Sequence, residues 1–208
     1  MISSAIHKLF PNHKYASIAK QTIYIVDYTE KEKELLPEKE KKGVEICSTK
    51  PKNIKCFCLS NPDSLSVEYA IFDKNSFPTY STGEARSHCE CIIFPSRTTK
   101  EDSWVLFLEL KYPQSQEKNG RHLKKAVYQL YRTQYYYFST GSYSRITKYL
   151  IASIPSQDAP FLIPKRNPFF HFHLTPEKLK KLKEKRNIII RFQNSAIIED
   201  ETKINVGD

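Results

Sequence analysis

Three charged side chains stand where an apolar sheet has no use for them. The stretch CECIIFPSRTTKEDSWVLFLELKYP, residues 89–113, reads as two apolar strands joined by a polar turn, with Glu90, Glu109 and Lys111 set into or beside the apolar runs. A lone buried charge costs several kcal/mol unless it is paired, protonated or bound to metal. The turn is centred between Thr99 and Lys100, so a symmetric hairpin pairs residues whose numbers sum to 199, placing Phe94 opposite Val105 and Glu90 opposite Glu109. Opposed residues share a face, and Lys111 joins that face opposite His88. Two carboxylates rooted about 5 Å apart repel each other. A hard divalent cation between them removes the repulsion, because it takes carboxylate oxygens and keeps waters for a substrate phosphate. A retained proton, or a pair between Glu109 and Lys111, are the structural alternatives. A one-residue bulge would turn one glutamate to the other face.

The elements that must position these residues follow from periodicity. WVLFLEL is nearly continuous in apolar character, the mark of a central strand buried on both faces. Strands are expected at 22–28, 53–60, 66–73, 87–94, 104–112 and 144–155. Between the fifth and sixth of these, RHLKKAVYQLYRTQYYYF (121–138) has the helical spacing Leu123, Val127, Leu130, Tyr131, with Gly141 as its stop. A second helix begins after Thr175, a good N-cap, with Pro176 in the first position and Glu177 on the dipole. NIIIRF and SAIIED read as a closing hairpin around Gln193 and Asn194. The charged stretch 29–43 reads as a surface excursion broken by Pro37, and a Pro-rich connection spans 158–168. The hairpin is antiparallel, whereas the helix between Tyr112 and Ile146 permits a parallel crossover. The expectation is an α/β fold: a mixed central β-sheet flanked by helices, in one domain over residues 1–208. Its core covers about 66–155 in the order strand, strand, strand, helix, strand, with an N-terminal elaboration (1–65) and a C-terminal addition (156–208).

Composition narrows the function classes. The 208 residues are long enough for a proper core, and 13 Tyr with 12 Phe argue against wholesale disorder. No apolar run approaches the ~20 residues of a membrane span, and the opening MISSAIHKLF lacks a signal-peptide core. A cytoplasmic protein with no membrane partner is therefore expected. Cys56 and Cys58, like Cys89 and Cys91, are separated by one residue, unlike zinc ligands, and are expected as core cysteines. His171 and His173 read as ordinary histidines at a sheet edge. The net charge of +10 is concentrated: from Lys111 to Leu150 there are eight basic residues against one acid, Glu117, a local +7. That suits a polyanionic partner, nucleic acid first. Tyr128, Tyr131, Tyr135, Tyr136 and Tyr137 interleave with Arg121 and Arg132. Such rings can stack on bases, although at least half of them are expected to pack in the core.

Glu90 within HCECIIF, Glu109-Leu110-Lys111 within FLELKY, and Gln129 in the helix KKAVYQLYRTQ together resemble the PD-(D/E)xK, or restriction-endonuclease-like, phosphodiesterase superfamily. Its pattern is an acid on one core strand, acid-x-Lys on the next, then a helix giving a Gln or a basic side chain. The resemblance covers about 66–155. It departs from the pattern in having Glu for the commoner Asp at the first position, no Pro before it, and no upstream helix with a further acid; Glu68 and Glu84 are the candidates for that acid. The resemblance implies a metal-dependent nuclease acting on DNA rather than RNA, with Glu90, Glu109 and the Leu110 carbonyl on Mg²⁺ or Mn²⁺. Lys111 would hold the attacking water, and Gln129 would touch the water or the nucleotide. Arg121, Lys124, Lys125, Arg132 and His88 would contact nucleic acid. A nuclease this small suits a targeting partner, as in defence or mobile-element systems, and many relatives act as dimers. The superfamily also has members without activity, which leaves a nucleic-acid-binding or assembly module as the alternative.

Overall fold

The computed structural model describes residues 2–28, 43–52, 54–112, 119–139, 143, 145–154 and 174–207. The readings of 29–42, of Gly141, of 158–168 and of His171 and His173 fall outside these residues.

Eleven strands and three helices are present among the described residues: α1 (Ile2–Leu9), β1 (Tyr15–Ile18), β2 (Thr22–Asp27), β3 (Val44–Cys47), β4 (Phe57–Ser60), β5 (Val67–Ile71), β6 (Cys91–Pro95), β7 (Ser103–Leu110), α2 (Asn119–Phe138), β8 (Ile146–Ser153), α3 (Pro176–Arg186), β9 (Ile188–Phe192), β10 (Ser195–Ile198) and β11 (Ile204–Asn205). They build two mixed sheets. The larger runs β1-β5-β6-β7-β8-β9 and the smaller β11-β10-β4-β2-β3. In the larger, β5, β6 and β7 are antiparallel neighbours, and β7, β8 and β9 are parallel. The α/β class, the mixed central sheet and the order β5-β6-β7-α2-β8 agree with the sequence reading.

β7 explains why its sequence is so apolar. All eight residues are buried, because the strand is internal to the larger sheet and both sheet faces are covered. Val105 and Phe107 enter a core shared with Leu123, Ala126, Val127 and Leu130 of α2. Trp104, Leu106, Leu108 and Leu110 enter a second core with Ile23, Ile25, Phe57 and Leu59 of the smaller sheet. The molecule is thus three layers thick: helices, large sheet, small sheet. The second sheet was not expected. Its strands are short, and apart from the β10–β11 pair they join partners distant in sequence, so little local signal announces it. The stretch before residue 66 supplies α1, β1 of the large sheet, and β2 to β4 of the small one.

The expected closing hairpin is not formed. β9 lies parallel to β8, while β10 lies parallel to β4 in the other sheet. Asn194 is the transfer point: its Oδ1 accepts from Ser153 Oγ at 2.8 Å, and its carbonyl accepts from the Cys58 amide at 3.0 Å. Helix α3 begins as expected. Thr175 caps it, its side chain accepting from the Lys178 amide, with Pro176 following, and Asn187 closes it in the left-handed region (φ 52°).

Candidate active site

The site is assembled at the end of the large sheet where β7 and β8 stop. Hairpin pairing follows the expected sum of 199: Cys91 faces Leu108, Ile92 faces Phe107 and Ile93 faces Leu106. One residue further on, the register breaks. Glu90 lies outside β6, and its amide donates to the Leu108 carbonyl (3.1 Å), so Glu90 and Cys91 both sit opposite Leu108. This is a β-bulge. It has a consequence for the face argument, since Cys89 packs in the helix-side core while Cys91 packs in the sheet-to-sheet core. Cys89, not Glu90, takes the place across from Glu109 on the helix side. Glu90 is instead half-buried at the end of the sheet. Its charge acts on Glu109 on one side of the sheet and on the Tyr112 hydroxyl on the other. The bulge is tied on both flanks, because the Glu90 carbonyl accepts from the Phe72 amide at 2.8 Å.

Glu109 is fully buried (0% exposed). Strand alternation aims it at α2, as for Val105 and Phe107. Its Oε1 is paired with the Lys111 ammonium. Its Oε2 accepts no hydrogen bond among the described residues. Burial pushes the Glu109 carboxyl up to about 8; Lys111 pulls against that, and the Glu90 charge adds to it. A buried carboxylate oxygen without a hydrogen-bond partner is costly and calls for an explanation. The donor chemistry fits a hard cation: carboxylate oxygens at Glu109 and Glu90, with the Leu110 main chain between Glu109 and Lys111. Among the described residues no three His, Cys, Asp or Glu side chains are grouped to hold a metal ion. Glu68, a candidate third acid, is committed elsewhere: it accepts from Ser3 Oγ at 3.0 Å and meets His7 Nε2 at 2.7 Å. Glu84 lies exposed after a turn, its carbonyl accepting from the Tyr80 amide at 2.9 Å.

Helix α2 covers the site from above. Lys125 acts electrostatically on Glu109. One turn on, Gln129 is held by a hydrogen bond from its Nε2 to the His88 carbonyl (2.8 Å), and its Oε1, also buried, accepts nothing among the described residues. Thr133, on the next turn of the same face, accepts from the Cys89 amide at 2.8 Å and donates to the Gln129 carbonyl at 2.9 Å. It therefore fixes the chain at the bulge. Sequence reasoning overlooked Thr133, although its place four residues after Gln129 in the helix was the available signal. Cys89, drawn into the buried pair's surroundings, was read only as core.

The other expected contacts divide. His88 does not reach Lys111: its ring lies against Phe72 and Phe77 (centroids 6.1 and 5.5 Å), because the bulge takes residue 88 out of the ladder. Arg132 gives its guanidinium to the Tyr80 hydroxyl at 2.8 Å and stacks on Tyr128 at 5.5 Å, rather than approaching Glu109. Arg121 and Lys124 are exposed on α2. Of the five helix tyrosines, Tyr137 is buried and Tyr131 and Tyr136 pack against the core, whereas Tyr128 and Tyr135 are about half exposed. All five cysteines are free; Cys89 and Cys91 are buried, and the other three are partly exposed.

No helix among the described residues is long and apolar enough to cross a membrane. No family model, no curated protein and no solved structure matches the chain.

Proposed function

We propose that the chain is a metal-dependent nuclease of the PD-(D/E)xK kind, hydrolysing phosphodiester bonds of DNA. The observation that carries the reading is the pair at the end of β7: a fully buried glutamate, one oxygen on a lysine ammonium and the other unserved, with a second glutamate close enough to raise its pKa. A structural ion pair needs only the lysine, and it leaves the second oxygen and the second acid unexplained. The element order β5-β6-β7-α2-β8, with Glu109 on an internal strand of the large sheet and Lys111 just beyond its end, supports the reading.

In this reading Glu109, Glu90 and the Leu110 carbonyl hold Mg²⁺ or Mn²⁺, which when bound would acidify a water and neutralise phosphate charge. Lys111, fixed by Glu109, orients the attacking water and donates to the phosphoryl oxygens as negative charge develops on them. Gln129, anchored through its amide nitrogen, presents its oxygen as an acceptor for that water. Lys125 adds a cation on the same side. Exposed Arg121 and Lys124 supply phosphate contacts. A second copy or a targeting protein, as in a defence or mobile-element system, would supply the sequence address.

Cleavage of plasmid and oligonucleotide DNA with Mg²⁺ or Mn²⁺ tests the reading. Wild type should cut, and Lys111→Ala should lose at least a hundred-fold in rate, on the order expected for removing one charge-stabilising donor, with the circular dichroism spectrum kept. Salt-dependent DNA binding without any cleavage would identify an inactive binding module instead.

A further inference from the structure

A second surface feature shares only Lys124 with this chemistry. Between α2 and α3 runs a groove of about 570 Å³. Its rim carries Lys124, Lys178, Lys181, Lys185 and Arg186, and no acidic residue is among its described lining. Its floor is Val127, Tyr128, Tyr131, Leu182 and Ile190. The walls are held in place: Arg186 Nη1 donates to the Tyr131 hydroxyl at 2.7 Å, and buried Lys148 donates from Nζ to the Arg186 carbonyl at 3.1 Å. α3 has no buried residue and packs on the core through Leu179 and Leu182, which leaves Lys181 and Lys185 of the rim on the outer surface. Tyr128 is 52% exposed, and Lys124 and Lys125 of the same helix lie one turn before it. Lys125, whose charge acts on Glu109, follows Lys124 of the rim in sequence.

We propose that this groove binds an unpaired nucleic-acid strand, phosphates on the lysine rim and bases on the tyrosine floor. The occupant must be polyanionic to match a rim of one sign, and it must carry flat apolar groups to cover the rings. An unpaired strand offers both, with its base faces open to stacking. A duplex keeps those faces covered, an acidic peptide lacks them, and a vesicle surface does not fit a trough. The proposal names the substrate class for the nuclease reading and rests on that reading only for the cut.

The test is anisotropy of a labelled oligothymidylate across a salt series, with EDTA present, against a duplex of equal length, polyglutamate and phosphatidylserine vesicles. Oligothymidylate should bind tightest. Lys181→Gln with Lys185→Gln should lower the salt slope by about 1.4, the value for two lost phosphate contacts on a single strand. Tyr128→Ala should weaken binding about ten-fold with the slope unchanged, as for one lost stacking partner. Lys14→Gln with Lys74→Gln, an equal loss of charge from exposed positions elsewhere, should leave the slope within error. Preference for duplex, peptide or vesicle, or equal effects of the two lysine pairs, would overturn the proposal. Strand binding in the groove without metal-dependent cleavage would remove the nuclease reading alone. Cleavage with binding indifferent to the groove substitutions would remove this one alone.

Discussion

Replacing Glu109 with glutamine should remove a pH dependence of stability that only a stressed buried carboxyl produces. Burial raises the Glu109 carboxyl from 4.5 to about 8. Between those values the native state binds a proton that the unfolded chain has released, so stability falls as pH rises through the window. At 1.36 kcal/mol for each unit, the penalty by pH 8.5 is on the order of 5 kcal/mol. It is an upper figure, because local rearrangement relieves it. Glu109→Gln keeps the shape and cannot ionise. The variant should match wild type within about 1 kcal/mol at pH 5 and exceed it by several kcal/mol at pH 8.5. Urea unfolding in EDTA at pH 5, 6.5, 7.5 and 8.5 measures the difference. A variant-minus-wild-type difference that stays flat across this range would refute the reasoning, since the carboxyl would then titrate as in water. The same linkage gives a second sign: cation binding must displace the proton, so metal-dependent cleavage should climb with pH up to about 8 and level off.

Thr133→Val leaves the buried Cys89 amide without its acceptor and should cost about 1 to 3 kcal/mol in urea unfolding; it should also lower cleavage through the displaced bulge, and a loss below 0.5 kcal/mol would deny Thr133 that role. Thr175→Ala removes the α3 N-cap and should cost about 1 kcal/mol, read in the same unfolding assay, with strand binding weakened because α3 forms one wall of the groove. An unchanged unfolding midpoint would show that the cap contributes nothing.

Much of the architecture was legible because it is written locally. The near-continuous WVLFLEL announces an internal strand, and β7 is buried along its whole length. The spacing of Leu123, Val127 and Leu130 announces the packed face of α2, and Thr175-Pro176 announces the start of α3. Even the hairpin register could be read, because a symmetric turn fixes it and Cys91 to Ile93 obey the sum. Partner choice between distant strands could not be read. β1 pairs with β5 some fifty residues away, and β10 leaves β9 for β4, since pairing is decided by which edge is open and which apolar face remains to be covered. The bulge at Glu90 was legible only as a hazard. It arises where the Phe72 amide and the Thr133 hydroxyl claim the backbone of residues 89 and 90, contacts that exist only once β5 and α2 are in place. The consequence for the site is specific: the second acid approaches from the end of the sheet, not from across it.

Mn²⁺ titration followed by electron paramagnetic resonance at pH 8.5, where Glu109 is ionised, tests the central claim most directly. Wild type should bind Mn²⁺ at one site that both Glu90→Gln and Glu109→Gln abolish. Absence of that site in wild type, or its survival in either variant, would contradict the account.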